Sequence, residues 1–192
     1  MFRLCILLLA VLLATPAIAE TPSFNFVQAG YQKMDFKGDV SSDFDVDGWG
    51  AGGSFEIGDS LFILASYARG DMGFGVDLDE LQAGIGYHTD FSDTTAFFAT
   101  LTYAEVDASS NDFGVLKEDG YGASIGIRSN ASDRVEIAVV LDYVDFGHGS
   151  NSASIGAEVM FNLSERFAIG ANVNYDDDVT SYGGSARFYF GG

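Results

Sequence analysis

The feature that most constrains this chain is an alternation of period two that returns again and again after about residue 23. Val135, Ile137, Val139, Leu141 and Tyr143 interleave with Glu136, Ala138, Val140, Asp142 and Val144. Successive side chains of a pleated strand point to opposite faces, so such a segment has one apolar face and one mixed face. The same pattern sets Ala153, Ile155, Ala157, Val159 and Phe161 against Ser154, Gly156, Glu158, Met160 and Asn162. It recurs in ten segments, at about 23–36, 43–57, 60–70, 78–90, 94–107, 117–129, 134–146, 151–163, 166–176 and 180–190. The first is the least regular, which leaves eight strands as the alternative count. Two prolines, 24 glycines and 17 phenylalanines fit strands and turns rather than helices. The expected fold class is all-β: a closed antiparallel transmembrane β-barrel.

The choice of bilayer over water rests on which face points out. The apolar face is large and aromatic, while the other carries charges beside many glycines and suits a narrow interior. A closed sheet with an apolar outside and a polar inside belongs in a membrane, and closure leaves no unpaired strand edge in lipid. A soluble barrel would instead bury Glu136, Glu158, Arg128 and Arg187 among bulky side chains, at a cost unless each finds a partner.

The connections alternate in length. Short ones centre on Ile57-Gly-Asp-Ser60, Phe91-Ser-Asp-Thr94, Ala131-Ser-Asp-Arg134 and Leu163-Ser-Glu-Arg166. Longer acidic ones are expected at 37–44, 70–77, 107–116, 145–151 and 176–180. Short periplasmic turns and long external loops are the arrangement of the bacterial outer membrane. At the start, Arg3, the apolar run from Cys5 to Leu13 and Ala-Ile-Ala at 17–19 form a signal-peptide pattern. The expected organisation is a leader, 1–19, and one barrel domain, 20–192, located in the outer membrane after export. Cys5 is the only cysteine, so the exported chain would carry no thiol. A net charge of −19 argues against nucleic-acid binding, which needs a basic surface.

Three segments carry a family resemblance: Phe24-Asn-Phe-Val-Gln-Ala-Gly-Tyr31, Asp45-Val-Asp-Gly-Trp-Gly50 and Asp119-Gly-Tyr-Gly122. They resemble small outer-membrane barrel proteins of xanthomonads and related proteobacteria, a family once discussed as the activator of a rice immune receptor. The chain is also broadly similar to small porin-like surface barrels. The resemblance implies an outer-membrane barrel and brings no enzymatic residue with it. One departure is the ending, where Gly191 and Gly192 follow the aromatic Phe190.

Candidate sites follow from position. Tyr67, Tyr103, Tyr143 and Tyr175 each fall about one membrane crossing after a short turn. They are expected to form an outer aromatic girdle. Arg128 and Glu136 are symmetric about Ser132 and share a face, so they can pair across a hairpin. Glu158 and Arg187 are expected to meet over the side-chain-free Gly170. Together these four would form an interior ion network, with a charged aqueous path as the other possibility. His88 is expected on the same inward face. His148-Gly-Ser150-Asn151 resembles the active-site string of lipid A deacylases, in which a histidine activates a serine. Glu158, however, lies roughly 27 Å along the strand from Ser150 at about 3.4 Å per residue. Asp43, Asp45 and Asp47 match half of a calcium loop but lack its closing acid, since Ser54 stands at the twelfth position. No cofactor is expected. The expected partners are outer-membrane lipid and lipopolysaccharide, with divalent cations at the acidic loops.

On this reading the chain is a non-enzymatic surface barrel. A small cation-preferring pore and a lipid A hydrolase are the alternatives.

Overall fold

The computed structural model describes residues 21–36, 44–73, 75–110, 114–147, 150–176 and 179–191. The expected leader lies outside them. Ten strands follow in chain order: β1 Phe26–Phe36, β2 Phe44–Ile57, β3 Leu61–Asp71, β4 Val76–Ser92, β5 Thr95–Ser110, β6 Gly114–Ser132, β7 Val135–Gly147, β8 Ser150–Asn162, β9 Phe167–Asp176 and β10 Val179–Tyr189. Each pairs antiparallel with its chain neighbours, and β1 pairs with β10, from Phe26 opposite Tyr189 to Phe36 opposite Val179. The sheet is therefore a closed barrel of ten strands, not eight. The irregular first segment is a full member, laddered on both sides.

Burial follows the alternation. Even-numbered residues face inward from β1 to β9, and odd-numbered ones in β10. Met160 and Arg187 are almost inaccessible, at 0% and 4% of their possible exposure, whereas Leu101 and Ile85 on the outer face keep 64% and 60%. An exterior band of Leu, Ile, Val and aromatic side chains is what lipid requires of a barrel.

Inside, bulk is matched to glycine. Phe62 lies opposite Gly86, Phe98 opposite Gly126, and Met160 opposite Gly170. A β-carbon on Gly126 would come within 2.6 Å of the Phe98 ring, so only glycine admits that ring. The expectation for Gly170 is corrected here. It is Met160, its register partner, whose thioether lies over Gly170, while Arg187 sits opposite Ala168.

The barrel ends differ from expectation too. Segment 107–116, expected as a loop, is mostly ladder, and segment 70–77 is ladder at both ends, with Asp107 opposite Lys117 and Asp71 opposite Asp77. The apolar alternation stops at the membrane edge, but backbone pairing continues into water, where polar cross-strand pairs support it.

The barrel lumen as candidate functional site

The chain enters the barrel from inside. Residues 21–25 precede β1, and Phe24, only 3% exposed, is tucked into the lumen at the end bearing the tight turns. Its ring stacks on His88 at 4.4 Å and on Phe62 at 4.8 Å, and meets Phe98 edge-on at 5.9 Å. Backbone and side-chain bonds hold the segment. Ser54 donates its hydroxyl to the Phe24 carbonyl, and the Asn25 side chain donates to the Glu56 carboxylate and accepts from the Glu56 amide. The Phe190 amide donates to the Asn25 carbonyl at 3.0 Å, which ties the first strand's approach to the last strand's exit. These aromatic groups form one side of a floor in the lumen.

Beside the floor lies a charge network. Glu136 Oε1 accepts from Arg128 Nη2 at 2.7 Å and from Arg187 Nη1 at 2.8 Å, and Glu136 Oε2 accepts from the Tyr189 hydroxyl at 2.8 Å. Arg187 also reaches Glu158 Oε2 at 2.5 Å and Gln28 Oε1 at 2.7 Å, while Gln28 Nε2 donates to Glu158 Oε1 at 2.9 Å. Arg128 Nη1 donates to the Ser23 carbonyl at 3.0 Å, so the network also grips the entering segment. The Phe26 ring lies against both guanidiniums, at 5.0 Å from Arg128 and 4.3 Å from Arg187. Two arginines balance two glutamates, and their polar atoms are multiply bonded, which is what makes burying four charges tolerable.

The structure thus brings Arg128, Glu136, Glu158 and Arg187 together, by a register different from the simple hairpin expectation. Arg128 lies opposite Ala138, and a register shift between Asn130 and Ser132 leaves Glu136 diagonal to it. Long side chains bridge such diagonals. Gln28, Tyr189 and Phe24 complete the arrangement and were not expected from the sequence. Only Phe24 left a trace, an aromatic two positions before Phe26 and just after Pro22.

Above the floor is a cavity of about 500 Å³. Its lining includes Gln28, Leu64, Glu80, Gln82, Thr100 and Asn172. Beside Thr100, on the neighbouring strands, Ser124 donates to Asp142 at 2.6 Å.

On the outer face, Tyr67, Tyr103, Tyr143 and Tyr175 lie toward the acidic end of their strands, all of them partly or well exposed. Trp49 meets Tyr67 edge-on at 5.7 Å, and Tyr103 meets Tyr121 at 5.8 Å. Trp49, Tyr121 and Tyr31, the last opposite Trp49, stand in the same outward band as the four tyrosines. Beyond it, outside the membrane span, carboxylates crowd the strand ends. Arg69 pairs with Asp77 at 2.6 Å, and Lys117 with Asp107 at 2.6 Å and Glu105 at 3.2 Å. Hydrogen bonds to those two acids hold the Lys117 ammonium above the usual lysine range.

The remaining candidates do not assemble. Ser150 opens β8 on the surface, opposite Gly147, and His148 lies outside the described residues. Glu158 is committed to Arg187 and Gln28, and Asp145 accepts the Gly147 amide at 2.7 Å. Asp47 is exposed in β2, while Asp43 and the Asp45 side chain lie outside the described residues. Among the described residues no three acids, histidines or cysteines cluster as a metal site would require.

No family model matches the chain, and no curated protein matches it. Solved structures do. An outer-membrane channel from Pseudomonas putida F1 is similar with a TM-score of 0.55 at 12% identity, covering 92% of this chain and 100% of that one. The translocator domain of the autotransporter NalP from Neisseria meningitidis is similar with a TM-score of 0.50 at 9% identity, covering 88% and 90%. The fold is that of the outer-membrane β-barrels. At these identities the likeness concerns architecture alone.

Proposed function

We propose that the protein is a non-enzymatic surface barrel of the bacterial outer membrane, closed to solutes, which meets its surroundings through the acidic strand ends. The observation that carries this reading is the closure of the lumen. The Phe24, Phe62, Phe98 and His88 rings fill one side of it, and the Arg128, Glu136, Glu158 and Arg187 network fills the other, the two meeting where Arg128 lies 4.7 Å from the Phe24 ring. A passive pore needs a continuous wet path, and this plug interrupts it. A hydrolase needs a base and an orienting acid near its nucleophile, and the acids nearest Ser150 in sequence are engaged elsewhere.

At the other end, Asp47, Asp71 and Asp77 stand side by side on neighbouring strands, with Asp107 and Asp119 further round. Such a collar suits contact with lipopolysaccharide through shared divalent cations, or with a basic surface on another cell.

Refolded into planar bilayers, the protein should give no steady single-channel conductance; stable channels would sink the closed-barrel reading. Ser150→Ala and His148→Ala should each leave the lipid A acylation pattern of expressing cells unchanged by mass spectrometry. Loss of a deacylated species in both variants would restore the hydrolase. Changing Asp71, Asp107 and Asp119 to Asn should lower attachment of expressing cells to a polycation-coated surface. Undiminished attachment at equal barrel levels would remove the acidic collar from the proposal.

A further inference from the structure

The cavity above the floor is not a packing remnant of ordinary size. Its volume of about 500 Å³ falls in the range of small-molecule sites, roughly 300–1,000 Å³. The space has a local origin. Gly30, Gly50 and Gly52 line it without side chains, beside the small Ser66 and Ala68. These five form one continuous patch, since Gly30 lies opposite Gly50, Gly50 opposite Ala68 and Gly52 opposite Ser66. Solvent reaches the space, because Ser66 faces inward and is nonetheless exposed.

The lining is polarised along the barrel. On the wall formed by β3 and β4, the opposed pairs run from Phe62 and Gly86, through Leu64 and Gly84, then Ser66 and Gln82, to Ala68 and Glu80. The lower part is apolar, with Leu64 above the Phe24, Phe62 and Phe98 rings. The upper part ends on the Glu80 carboxylate. Glu80 differs from the glutamates lower in the lumen: Glu136 and Glu158 each bind arginine and Glu56 lies 3.3 Å from His88, whereas no basic side chain among the described residues pairs with Glu80. Its hydrogen bond comes from Gln82 Nε2 at 2.9 Å. A partly buried carboxylate without a countercharge is unfavourable, and an incoming cation removes that cost.

We propose that this cavity binds a small amphiphilic cation, its ammonium head at Glu80 and Gln82 and its aryl or alkyl body against Leu64, Phe62 and Phe98. Four residues of strand separate the Leu64 level from the Glu80 level, about 13 Å at roughly 3.3 Å per residue. An arylalkylamine with a four-carbon linker spans that distance once the side chains reach in. A carboxylate at the upper end and a neutral charge network below disfavour an anion of the same shape. The inference shares with the preceding section only the closed floor, and binding is measured separately from conductance. A silent barrel that binds no amine overturns this site alone, and a conducting barrel that binds it overturns the closed-barrel reading alone.

The test uses the full barrel refolded in zwitterionic micelles and three probes of one shape: 4-phenylbutylamine, 4-phenylbutanol and 4-phenylbutyrate. Titration calorimetry and ligand-observed NMR should show saturable binding of the amine, weaker binding of the alcohol and least of the acid. Glu80→Gln should weaken the amine at least tenfold and leave the alcohol unchanged. Ser66→Phe, which fills the cavity from a solvent-exposed position, should abolish both and so report partition into the micelle. Far-UV circular dichroism confirms that each variant is folded; if Ser66→Phe does not fold, the Glu80→Gln contrast between amine and alcohol decides. No saturable amine binding, equal binding of the acid, or an unchanged affinity in Glu80→Gln would overturn the proposal.

Discussion

At the scale of single residues, Arg187 has the most connections in the lumen. It bonds Glu136, Glu158, Gln28 and Tyr189, and lies against the Phe26 ring. Arg187→Ala should therefore cost more than its own contacts, because it strips Glu158 of the arginine it pairs with. Breaking one side of a buried pair costs about 3–5 kcal/mol. Removing Glu158 as well should recover part of that loss, since Glu136 keeps Arg128 and Tyr189. Urea unfolding in micelles checks both variants; a double mutant less stable than the single one would mean that the pair contributes packing rather than compensated charge. The glycine partners allow a second test. Gly126→Leu should destabilise by about 1–3 kcal/mol through overpacking against Phe98, and adding Phe98→Ala should restore part of it, since the Val139 carbonyl also lies 2.6 Å from the β-carbon position. Which charges would meet was legible in the sequence, because face and spacing follow from period two. How they meet was not. A one-residue register shift near Ser132 and the arrival of Gln28 from the far side of the closure depend on tertiary pairing.

At the scale of the strand, the alternation states the inside and the outside residue by residue. Leu141, Ile155, Val173 and Ile125 all lie on the exposed face at 46–49% accessibility. Arginine at any of them should cost about 2–4 kcal/mol near the bilayer midplane and slow insertion. Ser124→Arg, on the inner face beside Asp142, should be milder, since the new guanidinium finds a carboxylate. Folding yield into vesicles separates the two sets, and greater sensitivity of the inner position would invert the assignment. Strand ends were less legible than strand middles. Residues 107–110 and 114–116 lack the apolar rhythm because they stand beyond the lipid, yet they keep the ladder. The hydrophobic pattern records the membrane's thickness, not the strand's length. The girdle shows the same limit: counting from the short turns found four tyrosines, while Trp49 and Tyr121 sit on strands approached from the opposite end and Tyr31 on the first strand, which no short turn precedes.

At the scale of the whole molecule, the aromatic and charged groups close the lumen side by side, with the Arg128 guanidinium 4.7 Å from the Phe24 ring, and that arrangement sets what mutation can open. Replacing Glu158 and Arg187 with alanine thins the charged side but leaves Arg128, Glu136 and the Phe24, Phe62, Phe98 and His88 rings in place. That double variant should stay silent in planar bilayers. Phe24→Gly alone should also stay silent, because Phe62, Phe98, His88 and the whole charge network remain. Only the triple variant, with both sides thinned, should show small channels. Ions crossing it would pass Glu80 and Asp142, and above the network no described basic side chain faces inward, so the channels should prefer cations, as pores lined by one sign of charge do. Reversal potentials under a salt gradient measure that preference. Channels from either partial variant would show that one side of the plug alone keeps the barrel closed, and anion preference in the triple variant would place the conducting path outside the lumen described here.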